Sequence, residues 1–125
     1  MSDNANADER PWPSDIKLRK AERTLEVAFE GGERFSLPAE YLRVESPSAE
    51  VQGHGAGQKQ TVPGKRNVGI IGLEPVGNYA VRLIFSDGHD SGLYTWETLY
   101  RLGREHDAIW AEYLAALEAK GLKRD

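Results

Sequence analysis

The chain has 125 residues, sixteen basic against twenty acidic side chains, a formal net charge of −4 and no cysteine. That length leaves room for one ordinary core, and the missing thiols exclude a disulfide framework, a Cys-ligated zinc or iron–sulfur centre within the chain, and a thiol nucleophile. No apolar run approaches membrane-spanning length, no basic-then-apolar leader opens the chain, and the acidic balance offers no cationic field, so the expectation is a cytoplasmic protein without a membrane or nucleic-acid partner.

Residues 1–10 lack apolar periodicity and read as a disordered tail, and Pro11-Trp12-Pro13 reads as an extended lead-in whose tryptophan rests on the body. Three short strands follow. Ile16 and Leu18 alternate with Lys17 and Arg19; Leu25, Val27 and Phe29 alternate with Glu26 and Ala28; Phe35 and Leu37 flank Ser36. This period of two marks strands with one buried face, and the turn-like Lys20–Arg23 and the Gly31-Gly32 pair join them as an antiparallel meander. Pro38 stops the third strand. Ala39–Tyr41 reads as a short turn, and the alternation of Leu42 and Val44 as one more extended piece.

Residues 47–67 differ in kind. Val51 and Val62 are their only larger aliphatics, and Lys59, Lys65 and Arg66 stand against Glu50 alone, so the segment is positive where the rest is acidic. It is expected to be a flexible loop, and loops of this length in small domains are often functional. Strands resume with Val68–Val76 and Tyr79–Phe85, joined at Gly77-Asn78. From Trp96 the period becomes helical, with Thr95 as N-cap and Gly103 just past the end, and a second helix is predicted over about Asp107–Lys120, closed by Gly121. The fold class is α+β: a mainly antiparallel sheet of about five to six short strands with two C-terminal helices packed on one side. Only eight residues, Gly88 to Thr95, join the last long strand to the first of these helices, so the chain must bend sharply there. That corner is expected to set Trp96 and Leu99 against Leu83 and Phe85.

Chemistry-bearing residues are few. There is no nucleophile elbow, phosphate loop, dinucleotide fingerprint or zincin motif. Asp87, His89 and Ser91 lie too close in one turn to align as a triad. Imidazole with carboxylate suits zinc or iron, which makes His89, His54 and Asp87 the candidate metal ligands, although no helix or strand spacing makes them converge. The bland alternative is that His89 bonds a neighbouring carbonyl or carboxylate and fixes its turn.

Two segments, Leu42–Gly55 and Phe85–Trp96 with Leu99, resemble the gamma-butyrobetaine hydroxylase-like N-terminal domain family, and the string Asp87-Gly88-His89 followed by Ser91-Gly92, Tyr94 and Trp96 is its most specific part. The resemblance runs over residues 11–121. In the carnitine-pathway dioxygenases the family domain precedes the oxygenase and holds a structural zinc through three cysteines and one histidine; bacterial relatives occur alone or fused to P-loop iron–sulfur cluster carriers. Carried over, His89 matches the zinc histidine, while Ser46, Pro47 and Ser48 stand where cysteines would fall, so the dioxygenases' zinc site is not expected here, nor is hydroxylase activity. The resemblance implies a stand-alone, non-enzymatic accessory or binding module, linked to iron–sulfur cluster maturation or to regulation of a cytoplasmic partner enzyme. Arg43, Ser46, Gln52, Lys59, Lys65 and Arg66 are the candidate partner-binding residues. The alternative is a small iron- or zinc-binding protein using His89 and His54. His89 is expected, partly buried, at the mouth of the Asp87–Trp96 corner, with His54 on the same side.

Overall fold

The computed structural model describes residues 10–55 and 57–125, so nearly all of the expected tail, residues 1–9, lies outside the described residues. Strands β1 (Pro13–Arg19), β2 (Thr24–Phe29) and β3 (Arg34–Pro38) form one antiparallel sheet in the order 1-2-3. Leu25 pairs with Leu18 on one side and Leu37 on the other. Strands β4 (Ile70–Val76), β5 (Ala80–Phe85) and β6 (Leu93–Thr95) form a second, in the order 4-5-6. The six antiparallel strands and C-terminal helices make the fold α+β, with the strands divided between two sheets rather than joined in one. The long segment after β3 separates it from β4, and among the described residues no ladder links the two sheets. Their inner faces share one core, in which Leu25, Val27, Phe29 and Leu37 meet Ile70, Val81, Leu83, Phe85 and Tyr94.

Among the described residues the strands are accompanied by four helices: α1 (Ala39–Val44), α2 (Ala49–Gln52), α3 (Trp96–Arg104) and α4 (His106–Ala119). Helix α1 replaces the turn and extended piece expected at Ala39–Val44. The Leu42/Val44 alternation misled because this helix is enclosed on most sides: Ala39, Tyr41, Leu42 and Val44 are all buried, so no polar face reveals its period. Six residues are too few to hold a helix unaided. Tertiary bonds hold it, with Tyr41 Oη donating to the Leu102 carbonyl at 2.7 Å and Tyr94 Oη to that of Leu42 at 2.5 Å.

Helix α3 opens as predicted, the Thr98 N–H donating to Thr95 Oγ1 at 3.1 Å. It continues through Gly103, which is not its terminator. Gly103 is required by packing, because a Cβ there would run into the Phe35 ring of β3. Helix α4 ends in a Schellman arrangement, with Gly121 N donating to the Glu118 carbonyl and Leu122 N to that of Leu117. Leu122 and Leu117 accordingly join Val44, Val62, Trp110 and Tyr113 in a smaller apolar cluster beneath α4.

The segment expected as a flexible loop, 47–67, contains α2 and is tied to the body along its length. Gln60 N donates to the Val51 carbonyl, Tyr113 Oη to that of Val62 at 2.6 Å, Gly64 N to that of Lys123 and Arg66 N to that of Arg124. Each of its three cations meets an acid from elsewhere in the chain: Lys59 with Glu45 at 2.6 Å, Lys65 with Asp87 at 2.7 Å, and Arg66 with Asp125. Its positive charge against an acidic body therefore fastens it down as a strap.

Strand β6 was not predicted. Three of the eight corner residues pair back with Ala80–Arg82, returning the chain to the start of β5. Trp96 consequently sits at the Gly77-Asn78 hairpin rather than beside Phe85. Its backbone N–H donates to the Tyr79 carbonyl and its Nε1–H to that of Asn78, and its ring packs edge-on against Trp12, centroids 6.5 Å apart. Trp12 does rest on the body. Leu99 enters the core as expected.

Candidate functional site

The turn closing β5 is made by Ser86–His89, where Gly88 N donates to the Phe85 carbonyl and Phe85 N to that of His89. Asp87 Oδ1 accepts the His89 N–H at 3.1 Å, so the acid shapes the backbone that presents the imidazole. Across from this turn lies the strap's entry, Ser46–Gln52. Gly92 permits the contact, because a Cβ there would strike Ser46 Oγ and Pro47 Cδ. The His89 side chain is only 5% exposed and reaches into this junction. Its Nε2 lies 2.9 Å from Ser46 Oγ and 3.4 Å from Ser48 Oγ, and its Nδ1 lies 3.2 Å from Glu50 Oε1.

These partners fix the tautomer. Burial first, and then the Arg43 guanidinium, lower the imidazole's pKa against the opposing pull of Glu50, Asp87 and Asp90. A neutral ring has one N–H. A carboxylate only accepts, so Nδ1 carries the hydrogen toward Glu50, and Nε2 accepts from the Ser46 hydroxyl. Glu50 also accepts from Ser91 Oγ at 2.8 Å, which locks helix α2 to the segment leading into β6.

Asp87 is the second hub. Its Oδ2 meets Arg43 Nε at 2.8 Å and Lys65 Nζ at 2.7 Å. Burial would raise its pKa, but the hydrogen bonds from Lys65, the His89 backbone and Arg43 outweigh that and hold the carboxyl well below its usual range. Arg43 Nη1 is buried without a partner, alone among the side-chain nitrogens and oxygens of the described residues. Together Arg43, Glu50, Asp87, His89, Asp90 and Ser91 line an open depression of about 440 Å³, to which the strap adds Val51 and Val62.

The expected site residues are thus partly gathered. Arg43, Asp87, His89, Ser46 and Lys65 converge on the corner, and Gln52 is tied to it through a 2.9 Å bond from Nε2 to the Ser46 carbonyl. His54 is exposed and does not line the depression. Lys59 and Arg66 are engaged elsewhere on the strap, and Ser46 is fully buried, so a partner reaches it only by displacing its neighbours. Glu50 and Ser91 were missed as site residues: 41 positions separate them, and no local pattern announces a pair so distant.

Among the described residues, no three His, Cys, Asp or Glu side chains are grouped to hold a metal ion. The structural zinc of the dioxygenase members does not fit the donors present. Neutral serine hydroxyls bond the only nearby imidazole, and the closest carboxylates are taken by Ser91, Arg43 and Lys65. The Ser46 hydroxyl, the His89 imidazole and the Glu50 carboxylate stand in the order of a nucleophile, base and orienting acid, but Ser46 is fully buried, so its hydroxyl is closed to a substrate. No helix among the described residues is long and apolar enough to cross a membrane.

No curated protein matches the chain. Two solution structures determined by NMR are similar to it: one at 52% identity, TM-score 0.80, with 92% of this chain and 90% of the other covered, and one at 45% identity, TM-score 0.79, with 99% and 90% covered. A crystal structure of a DUF971-family protein of unknown function from Acidithiobacillus ferrooxidans is similar at 42% identity and TM-score 0.62, covering 73% of this chain and 91% of the other. Residues 16–100 match the model of the family described as gamma-butyrobetaine hydroxylase-like, N-terminal. Over that span run most of β1, strands β2 to β6, the strap, the His89 corner and the start of α3, and the chain belongs to the gamma-butyrobetaine hydroxylase-like N-terminal domain family.

Proposed function

We propose that the chain is a non-enzymatic binding module of the cytoplasm that docks a protein partner at the depression beside His89. The observation that carries this reading is the state of the depression's polar groups. Asp87 and Glu50 are held by Arg43, Lys65 and Ser91, and the one hydroxyl aligned on the His89 imidazole, that of Ser46, is fully buried, which leaves no nucleophile within reach of a substrate. One donor nitrogen, Arg43 Nη1, is left over behind the wall. A buried unpaired donor costs about 1–3 kcal/mol, so a partner that shifts the wall and supplies an acceptor, such as a carboxylate, gains that amount. Family resemblance directs the search for that partner toward P-loop iron–sulfur cluster carriers and then toward other enzymes.

The test is titration of the isotopically labelled chain with such a carrier, followed by NMR. Saturable shifts centred on residues 43, 50 and 87–91, lost in an Arg43→Gln variant that keeps its fold, support the reading. Shifts centred elsewhere remove the depression as the docking surface, and no shifts at millimolar carrier remove the carrier as the partner.

A further inference from the structure

The structural zinc of the dioxygenase members fails on donor chemistry, yet the geometry at the corner is that of a ligand set. Tetrahedral zinc holds nitrogen at about 2.0 Å and sulfur at about 2.3 Å, which places two such ligand atoms roughly 3.5 Å apart. Ser46 Oγ and Ser48 Oγ lie 2.9 and 3.4 Å from His89 Nε2. The three atoms come from the strap's entry and the β5 turn, 41 and 43 residues apart in sequence, which is the kind of junction a structural metal staples. All three side chains are buried, and the Ser46 hydroxyl and the Pro47 ring are pressed against Gly92.

We infer that this corner is a metal site in shape whose staple is a hydrogen-bonded knot. The Ser46 hydroxyl donates to Nε2, the Ser48 N–H donates to Ser46 Oγ at 3.3 Å, and Glu50 holds the far side of the ring. The knot joins the same two segments without a metal. The inference has two consequences. The native chain folds independently of zinc or iron, and cysteines at positions 46 and 48 create a thiolate–imidazole metal site with no other change.

The experiment uses the full untagged chain, the double variant Ser46→Cys/Ser48→Cys, and the same double variant with His89→Ala added. The native chain is expected to retain no stoichiometric metal after purification and to melt at the same temperature with or without a chelator. The double variant is expected to bind cobalt(II) at one equivalent, with the absorption of thiolate-to-cobalt charge transfer, and to melt higher with zinc. Adding His89→Ala is expected to weaken cobalt binding by more than about 10-fold, since even an outer-shell partner is worth roughly 10–100-fold. A double variant that is unfolded without metal is still decisive, because zinc must then restore its native fold. The inference is overturned if the native chain carries a metal whose removal lowers its melting temperature. It is equally overturned if the double variant shows no thiolate–cobalt band, fails to fold with zinc, or binds cobalt as tightly without His89.

Discussion

His89 and Trp96 exchange the roles that sequence reading assigns them. A tryptophan opening a helix reads as core, and a histidine in this turn as a partly buried group at the mouth of a site, more important to binding than to stability. Here both imidazole nitrogens are held at a junction with little solvent access, while the indole is only partly buried and leans on Trp12. Losing the ring of His89 removes two hydrogen bonds worth about 1 kcal/mol each and loosens the strap's entry. His89→Ala should therefore destabilise the chain by about 2 kcal/mol, no less than Trp96→Ala, which falls below the roughly 3–5 kcal/mol of a fully buried aromatic. Thermal melts of the two variants decide: if Trp96→Ala lowers the melting temperature severely while His89→Ala leaves it unchanged, the knot does not hold the junction. Gly103 gives a second test at this scale. In an exposed helix Gly→Ala gains about 1 kcal/mol, but the Phe35 ring occupies the Cβ position, so Gly103→Ala should lower the urea midpoint. A raised midpoint would show that Phe35 yields freely.

Among the elements, those governed by local pattern were legible and those governed by distant partners were not. The strands with period two, the Thr95 cap and the α4 stripe are read from neighbouring residues. Helix α1 hides because its buried positions cover most of its surface, β6 because three residues carry no periodicity, and the two-sheet division because it depends on which edges meet. The site follows the same rule: His89 stands out in its motif, whereas its ties to Ser46, Ser48 and Glu50 span 39 to 43 positions. The strap is the instructive case. Its glycines and cations read as mobile and positive, but the cations are consumed by Glu45, Asp87 and Asp125. Asp87 binds two elements at once, Arg43 of α1 and Lys65 of the strap, and both pairs are mostly buried. Asp87→Asn leaves both cations without a counter-charge and should cost about 1–3 kcal/mol, less than a fully buried pair because some solvent reaches the site. Amide hydrogen exchange should show the loss first at residues 64–66 and 89, with α4 still protected. Uniform loss of protection, or none, would mean that Asp87 does not join the strap to the β5 turn.

At the scale of the whole molecule, three tyrosines tie together what the two sheets do not. Tyr41 of α1 donates to the carbonyl of Leu102 in α3, Tyr94 of β6 to that of Leu42 in α1, and Tyr113 of α4 to that of Val62 in the strap. Each joins segments at least 51 positions apart in sequence, and each can make its bond only while protonated. Burial raises all three phenols above their ordinary value. For Tyr113 the value is raised to about 12, by burial first and then by Glu40 and Glu45 against Arg124. A group whose folded pKa lies above its unfolded one contributes stability that is complete below the unfolded value, about 10 for tyrosine, and is lost as pH rises through the folded value. The native chain should therefore keep a constant urea midpoint up to about pH 9 and lose stability increasingly from about pH 10 to 12. Lysine ion pairs weaken over the same range, so the variant Tyr113→Phe separates the two causes. Near pH 8 it should be less stable than the native chain by about 1–2 kcal/mol, the worth of a buried hydrogen bond with its carbonyl left unpaired. Toward pH 12 that difference should shrink, because the native phenol now resists ionisation at the expense of the fold while phenylalanine has nothing to ionise. A difference between the two chains that stays constant from pH 8 to pH 12 would show that the Tyr113 proton does not clamp the strap to α4.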